Sequence, residues 1–248
     1  WSAFNITPDK TAGIGAWSDT EIFDYLSTGI AVGKARAAGP MAEAVEHSLS
    51  QLKPDDIRAI ITYLRDQPAI SDGKRRPPRF AFGQPATYEA ALRGSAGITS
   101  GSVAGGGAEL FSANCASCHG ADGTGSKDGH YPALLHNTSV GASTPNNLVM
   151  VVLNGVQRRT AKSTVFMPGF AALNDAQIAS LVNFVERQFG DPTLQVAADH
   201  ISPYRHDAGP VPSYLEIGIG AGAGAAGIAV VLWGIVILLR RARRHRAA

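Results

Sequence analysis

The 248-residue sequence has few of the residues that form disulfide-linked or metal-clustered folds. It has only two cysteines, separated by two residues, so a disulfide framework is excluded. It also lacks a basic face, because the net charge of +2 comes with five arginines in the last nine residues, which leaves the rest mildly acidic. A protein that binds nucleic acid has to neutralise phosphates, so this charge distribution argues against such a function.

Charge is absent from one long stretch near the C-terminus. The 23 residues from Ile217 to Leu239 contain no charged side chain. As a helix they would extend about 34 Å at ~1.5 Å per residue, which is enough to cross a bilayer. We therefore predict a transmembrane helix over 215–240, followed by a basic cytoplasmic tail, 241–248. The excess of positive charge after the helix places all upstream residues outside the cytoplasm.

The segment 105–190 carries the helix signals of a compact domain. A short helix is predicted at Gly107, a second one is capped by Thr144 and ends at Gly155, and a third is capped by Asn174. Long loops are expected between these helices. Gly- and Ser-rich residues predict a linker over 71–104, and four prolines predict an extended stalk over 191–214.

Residues 1–70 repeat the second half of that domain. Gly29 precedes Met41 by twelve residues, and Gly155 precedes Met167 by the same twelve. In both copies the methionine is followed by a segment with apolar residues at helical spacing. The predicted fold class is therefore all-α, with two domains in tandem and one C-terminal transmembrane helix.

Both cysteines belong to the pentapeptide Cys115-Ala-Ser-Cys118-His119, which is the attachment signature of a c-type haem. Two thiols at this spacing reach the two vinyl groups of one porphyrin edge, and the following histidine becomes the proximal iron ligand. A redox dithiol, half of a zinc site and a plain disulfide are alternatives. The dithiol lacks a βαβ context, and only His130 and His136 lie near enough to complete a zinc site.

An electron-transfer haem needs a sixth ligand, for which Met150 and Met167 are the candidates. Met150 lies on an apolar helix where a methionine is usually core, whereas Met167 precedes a Pro-Gly pair in a segment expected to be an irregular loop. We therefore predict Met167 as the distal ligand. The carbonyl of Pro132 is a candidate acceptor for the ring N–H of His119. Arg158 and Arg159 are weak candidates for haem propionates, because exposed arginines usually contact only water.

By the repeat, Met41 occupies the position of Met167 and is predicted to bind the iron of a second haem. The corresponding C-x-x-C-H peptide is absent from the sequence, which begins at Trp1. We expect that an N-terminal portion of the chain is missing. A domain that has degenerated into a scaffold is the alternative.

Several segments together resemble one family, the cytochrome c subunits of membrane-bound periplasmic dehydrogenase complexes of acetic-acid bacteria. These segments are Asn5 to Lys10, Gly13 to Asp19, Tyr63 to Arg65, Gly107 to Phe111, Cys115 to Gly120 and Phe166 to Gly169. The resemblance implies tandem cytochrome c domains on the periplasmic side of a bacterial inner membrane, which they reach through a single-pass anchor. Family members have three such domains, but this sequence supports one attached haem and a second at Met41.

The resemblance also implies partners. Electrons would come from a catalytic dehydrogenase subunit, in a hetero-oligomer that includes a small electron-transfer subunit, and would pass through the haems to ubiquinone. The residues from Ala38 to Glu46 look more like the version that serves aldehyde dehydrogenases than the one that serves alcohol or sugar dehydrogenases. The chain itself would not transform a substrate. The alternative is a free-standing membrane-anchored cytochrome c that delivers electrons to an oxidase or reductase, and Met167 disfavours a third class, a haem enzyme that binds oxygen or peroxide.

Overall fold

Helices and two short hairpins alternate along the chain. The computed structural model describes residues 1–73, 76–86 and 106–206, all of which belong to one unit that runs from Trp1 to Asp207. The α-helices of this part are α1 (Asp19–Thr28), α2 (Pro40–His47), α3 (Pro54–Asp66), α4 (Gly107–Asn114), α5 (Ala116–His119), α6 (Asn146–Asn154), α7 (Asp175–Phe189) and α8 (Ala198–His206). The strands are β1 (Ile30–Ala31), β2 (Ala35–Arg36), β3 (Val156–Arg159) and β4 (Thr164–Met167), and 3₁₀ turns lie at Leu49–Gln51 and Arg79–Ala81.

Two capping boxes start the first and the longest helix. The Ser18 hydroxyl accepts a hydrogen bond from the backbone N–H of Glu21, whose carboxylate accepts from the N–H of Ser18. Asn174 and Gln177 make the same reciprocal pair before α7. Because each box satisfies two N–H groups that the helix leaves free, it fixes the residue at which the helix begins. The predicted cap at Asn174 is confirmed, whereas the helix expected to be capped by Thr144 has Pro145 at that position.

The core of the second half forms where α4 packs on α7. The Phe111 ring lies 5.3 Å from that of Phe184 and 5.4 Å from that of Phe189. Gly107 allows the helices to come this close, because a Cβ atom there would lie 2.2 Å from the carbonyl oxygen of Ser180. The packing fixes the C-terminal end of α4, where Cys115 follows.

The first 70 residues have a smaller core between α1 and α3. Trp17, Ile22 and Leu26 pack there with Ile57 and Ile61. The Trp17 and Tyr25 rings meet edge to face, with centroids 5.6 Å apart. The first hairpin follows directly after α1, one of the two helices that form this core.

The all-α prediction is wrong, because each half of the chain contains an antiparallel hairpin. Ile30 pairs with Arg36 in the first hairpin, and Val156 pairs with Met167 in the second. Each hairpin follows a helix that ends at a glycine with positive φ, 75° at Gly29 and 71° at Gly155. That conformation turns the chain out of the helix, so the residues that follow become extended. The fold is mostly helical with two small sheets.

The predicted membrane helix falls beyond the part of the chain that can be tested. In residues 1–73, 76–86 and 106–206, every helix is too short or too polar to span a bilayer. The segment 215–240 and the tail 241–248 lie outside the described residues. A C-terminal transmembrane helix is therefore not part of the architecture observed in the described residues.

Part of the expected stalk folds back onto the domain. Ile201 of α8 is fully buried against the core. Asn183 on α7 accepts from the Val196 N–H at 2.7 Å and donates to its carbonyl at 2.8 Å. Residues of the expected linker also pack here, since the Phe82 carbonyl accepts from the N–H of His136. Both segments thus add to the cover of the second half.

The carboxyl group of Glu186 on α7 is buried. We therefore predict that the stability of the folded chain depends on pH. One of its oxygens accepts only a 3.3 Å bond from the Asp191 N–H. Burial raises its pKa to about 8, against a weaker lowering by that N–H. Between about pH 4.5 and 8 the folded chain then holds a proton that the unfolded chain releases. The contribution of this carboxyl group to the free energy of unfolding is fully present below that window. As the pH rises through the window, the contribution falls by up to ~1.4 kcal/mol per pH unit.

We expect Glu186→Gln to reduce this pH dependence of the free energy of unfolding. The measurement is chemical denaturation of the holoprotein from pH 5 to 9, with Glu43→Gln at an exposed position as the control. A Glu186→Gln profile as steep as that of the control would contradict the assignment.

Candidate haem-binding site

One helical turn carries three of the predicted site residues. Cys115 ends α4 and begins α5, and the His119 N–H donates to the Cys115 carbonyl at 2.9 Å. Cys115, Cys118 and His119 therefore lie on one short segment that the α4–α7 packing holds. Both thiols are free. Burial raises the pKa of the Cys115 thiol to about 12, and the neighbouring Cys118 adds to this, so Cys115 is not the thiolate that a redox dithiol needs.

The His119 ring is oriented by a backbone carbonyl. Its Nδ1 lies 2.9 Å from the Pro132 oxygen, which is where the sequence predicted an acceptor. That contact leaves Nε2 as the nitrogen available to a metal. Burial lowers the pKa of His119 while the Pro132 hydrogen bond opposes the shift, so the ring is kept in the neutral form that binds iron.

Met167 reaches the same cavity from a different element. It is the last residue of β4, not part of an irregular loop, and it is paired with Val156 of β3. A Cβ atom at Gly155 would lie 2.2 Å from the Met167 carbonyl oxygen, so the glycine lets β4 approach the end of α6. Met150, the other candidate, is buried in the core and does not line the cavity.

The cavity between these groups opens to solvent. Among the described residues, its lining is mainly apolar, includes neither aspartate nor glutamate, and brings together Cys115, Cys118, His119, Pro132 and Met167. Two free thiols, a neutral imidazole and a thioether around an apolar space are the donor set that haem c requires. The residues present fit the group.

Met41 lies elsewhere, in a second cavity. It stands in the first turn of α2 and lines this cavity with Trp17, Tyr25 and Arg79. Within the described residues, this cavity is lined by neither cysteine nor histidine. The structure therefore places Met41 apart from the other predicted ligands.

The histidines of the zinc alternative do not converge. His130 and His136 are both exposed, and Nδ1 of His136 lies 3.1 Å from the Phe80 carbonyl oxygen. Over the described ranges, no group of three or more His, Cys, Asp or Glu residues is placed to hold a metal ion.

The sequence analysis did not predict the positions of two arginines near the cavities. Arg158 was expected to be exposed, but it is fully buried, and its Nη1 donates to the Ala37 carbonyl at 2.5 Å. Arg36 lines the cavity of His119 and was not singled out at all. Both lie on hairpin strands, so predicting the strands would have put Arg158 at an inward-facing position.

Residues 104–188 match the cytochrome c family. This segment is a cytochrome c domain, and the match implies haem c as its cofactor. The family match covers one domain only, so the prediction of tandem cytochrome c domains is wrong. Residues 1–70 hold the hairpin, the methionine and the last helix but no C-x-x-C-H peptide, and their description as a partial cytochrome c domain stays a prediction.

The whole chain is similar to cytochrome subunits of dehydrogenases. It is 40% identical to the fructose dehydrogenase cytochrome subunit of Gluconobacter japonicus, over 95% of this chain and 52% of that protein. It is 32% identical to the cytochrome c subunit of the quinone alcohol dehydrogenase of Gluconobacter oxydans, over 85% and 42%. It is also 32% identical to the gluconate 2-dehydrogenase cytochrome c subunit of Pantoea cypripedii, over 84% and 45%. The chain spans about half the length of these relatives.

We expect Met167→Ala to remove the low-spin His/Met spectrum of the haem and to lower its reduction potential, because a thioether ligand raises the potential. Absorption spectra and a redox titration of the holoprotein measure both effects. Met150→Leu changes a methionine outside the cavity and should leave both unchanged. An unaltered spectrum and potential in Met167→Ala would refute this ligand assignment.

Proposed function

We propose that this chain is the electron-transfer cytochrome c subunit of a membrane-bound dehydrogenase complex. It accepts electrons from a catalytic subunit on the periplasmic side of the bacterial inner membrane and delivers them to ubiquinone. The observation that carries this proposal is that His119 and Met167 line one apolar cavity, because an iron held between two protein ligands transfers electrons and does not bind substrate. The similarity to dehydrogenase cytochrome subunits supports the complex.

When bound, haem c supplies a one-electron change at iron. The chain supplies the rest. Cys115 and Cys118 would hold the group through their sulfur atoms, and the Pro132 carbonyl keeps the His119 ring in one orientation. The pairing of β3 with β4 fixes the backbone of Met167. Since these positions are set by packed elements, little has to reorganise when the charge of the site changes.

Electrons need a route through the protein surface. Tyr131 and Phe166 both line the cavity, and their residues are 39% and 69% exposed. They form a rim where the apolar interior meets solvent. Electron entry and exit are proposed at this rim, where a partner can come close without opening the cavity.

The second cavity is proposed to hold a second haem, with Met41 as an iron ligand. Its support is the repeat of helix, glycine, hairpin, methionine and helix in both halves, together with an apolar cavity beside Met41. The thioether bonds and the histidine of this haem would have to come from residues other than those described, because no described cysteine or histidine lines the cavity. Two neighbouring haems would then form a relay.

The catalytic partner is proposed to be a dehydrogenase, joined by a small electron-transfer subunit. The aldehyde-oxidising partner expected from the residues around Met41 stays a prediction. The relatives are named for fructose, alcohol and gluconate dehydrogenases, so a partner that oxidises a sugar or an alcohol is the main competitor.

Purification of the native assembly tests the proposal. We expect an affinity-tagged full-length chain, extracted from its membranes in mild detergent, to carry a catalytic subunit with it. The preparation should reduce a ubiquinone analogue when fructose, ethanol, gluconate or acetaldehyde is supplied. A matched Cys115→Ala, Cys118→Ala chain should lose quinone reduction but not the catalytic subunit's reaction with an artificial acceptor. Isolation of the tagged chain alone, without dehydrogenase activity, would favour the free-standing cytochrome instead.

A further inference from the structure

The cavity of His119 is not lined by the cytochrome c domain alone. Three consecutive residues of the first half also line it, namely Arg36, Ala37 and Ala38. They lie outside 104–188, the segment that matches the cytochrome c family. The first half therefore completes one wall of a site whose cysteines and histidine belong to the second half.

Backbone contacts on both sides of Arg36 hold this wall in place. The Lys34 carbonyl accepts from both the backbone N–H and the hydroxyl of Thr138, each at 2.7 Å. The Ala37 carbonyl accepts from Nη1 of Arg158 at 2.5 Å. Because both carbonyls are bonded to the second half, the backbone of Arg36 cannot leave the cavity wall unless these hydrogen bonds break.

The Arg36 side chain contacts the loop that orients the proximal histidine. Its Nη2 donates to the Gly129 carbonyl. Gly129 lies three residues before Pro132, whose carbonyl contacts Nδ1 of His119. A guanidinium has five N–H donors, so this bond leaves others for a group in the cavity.

Arg36 is the one permanent cation among the described residues that line this cavity. The other titratable residues of the lining are Cys115, Cys118, His119, His130 and Tyr131. Over the described ranges, no ion pair joins Arg36 to an aspartate or glutamate. Burial lowers the pKa of Arg36, which shows that its charge is partly desolvated. A partly desolvated cation without a carboxylate is costly, so this position favours an anionic group in the cavity.

We propose that Arg36 is a positioning residue for haem c in the cavity of His119, where its guanidinium donates hydrogen bonds to a propionate carboxylate, the anionic end of haem. The inference rests on the proposed function in one respect, since it takes the group in this cavity to be haem c, and it needs no second haem. Arg158 and Arg159, the arginines considered from the sequence, do not line this cavity. A cation here favours the reduced form, because reduction removes one positive charge from the site. Arg36 therefore raises the reduction potential.

The first test is a spectroelectrochemical titration of the full-length holoprotein at pH 8, where exposed histidines are neutral. The potential of this haem is the one that Cys115→Ala, Cys118→Ala removes. In Arg36→Gln it should shift downward while the His/Met spectrum is retained. Arg36→Lys keeps the charge but not the forked donor, and should give a smaller shift. The matched control is Arg159→Gln, which removes the same charge from an exposed side chain outside the cavity and should leave the potential unchanged.

The pH dependence of this potential separates a bond to a carboxylate from mere support of the loop. Protonation of the carboxylate removes a negative charge, so the potential rises as the pH falls through the carboxylate pKa. A neighbouring cation lowers that pKa. In Arg36→Gln the rise should therefore begin at a higher pH than in the parent chain. Both profiles are measured in a His130→Gln background, because His130 also lines the cavity and titrates near this range.

Three results would overturn the role of Arg36: an unchanged potential in Arg36→Gln, a rise that begins at the same pH, or a shift that appears only with loss of the His/Met spectrum. If Arg36→Gln does not take up haem, the same criteria apply to Arg36→Lys. Mass spectrometry of the parent chain separates this failure from failure of the proposed function. Absence of haem at Cys115 and Cys118 overturns both. An attached haem with an unmoved potential overturns only the role of Arg36.

Discussion

The close packing of α4 on α7 is the contact on which the rest of the structure depends. Gly107 has no room for a Cβ atom against the Ser180 carbonyl, and Phe111 fills the space beside Phe184 and Phe189. Because α4 runs directly into Cys115, this contact sets the position of both thiols and of His119. A shift of α4 would move the proximal side of the cavity away from β4. The packing of α4 on α7 therefore determines where a haem can be attached in this domain.

The opposite side of the cavity depends on the glycine that ends a helix and on the hairpin that follows it. Gly155 ends α6 in a conformation that other residues rarely adopt, and the chain then turns into the β3–β4 hairpin that ends at Met167. The first half follows the same rule at Gly29, whose missing side chain leaves space for the Arg158 guanidinium. The hairpins thus do two things. The second presents Met167 to its cavity, whereas Met41 follows the first hairpin in the first turn of α2, and each hairpin brings an arginine, Arg36 or Arg158, into the region between the two halves.

Signals contained within a few residues could be predicted from the sequence, and contacts between distant residues could not. The capping boxes at Ser18 and Asn174 and the haem peptide are local patterns, and the acceptor for His119 lies only thirteen residues away, at Pro132. The hairpins were missed because four-residue strands carry too little periodicity to compete with a helix signal. Arg158 was expected to be exposed because its strand was missed. Its guanidinium also donates to the carbonyl of Ala37, 121 residues earlier, a contact that no local pattern indicates. The fold-back of α8 likewise depends on a more distant partner, because Arg205 donates to the carboxylate of Asp175, 30 residues earlier.

The central claim is that His119 and Met167, which line one cavity, would both bind the iron of one haem, so that this domain would carry electrons and would not bind small molecules at iron. Addition of carbon monoxide to the reduced holoprotein at neutral pH tests this most directly, because carbon monoxide binds ferrous haem only at an open or weakly held position. The account predicts no spectral change for the haem attached at Cys115 and Cys118. Rapid and complete formation of a carbon monoxide adduct at that haem would contradict it.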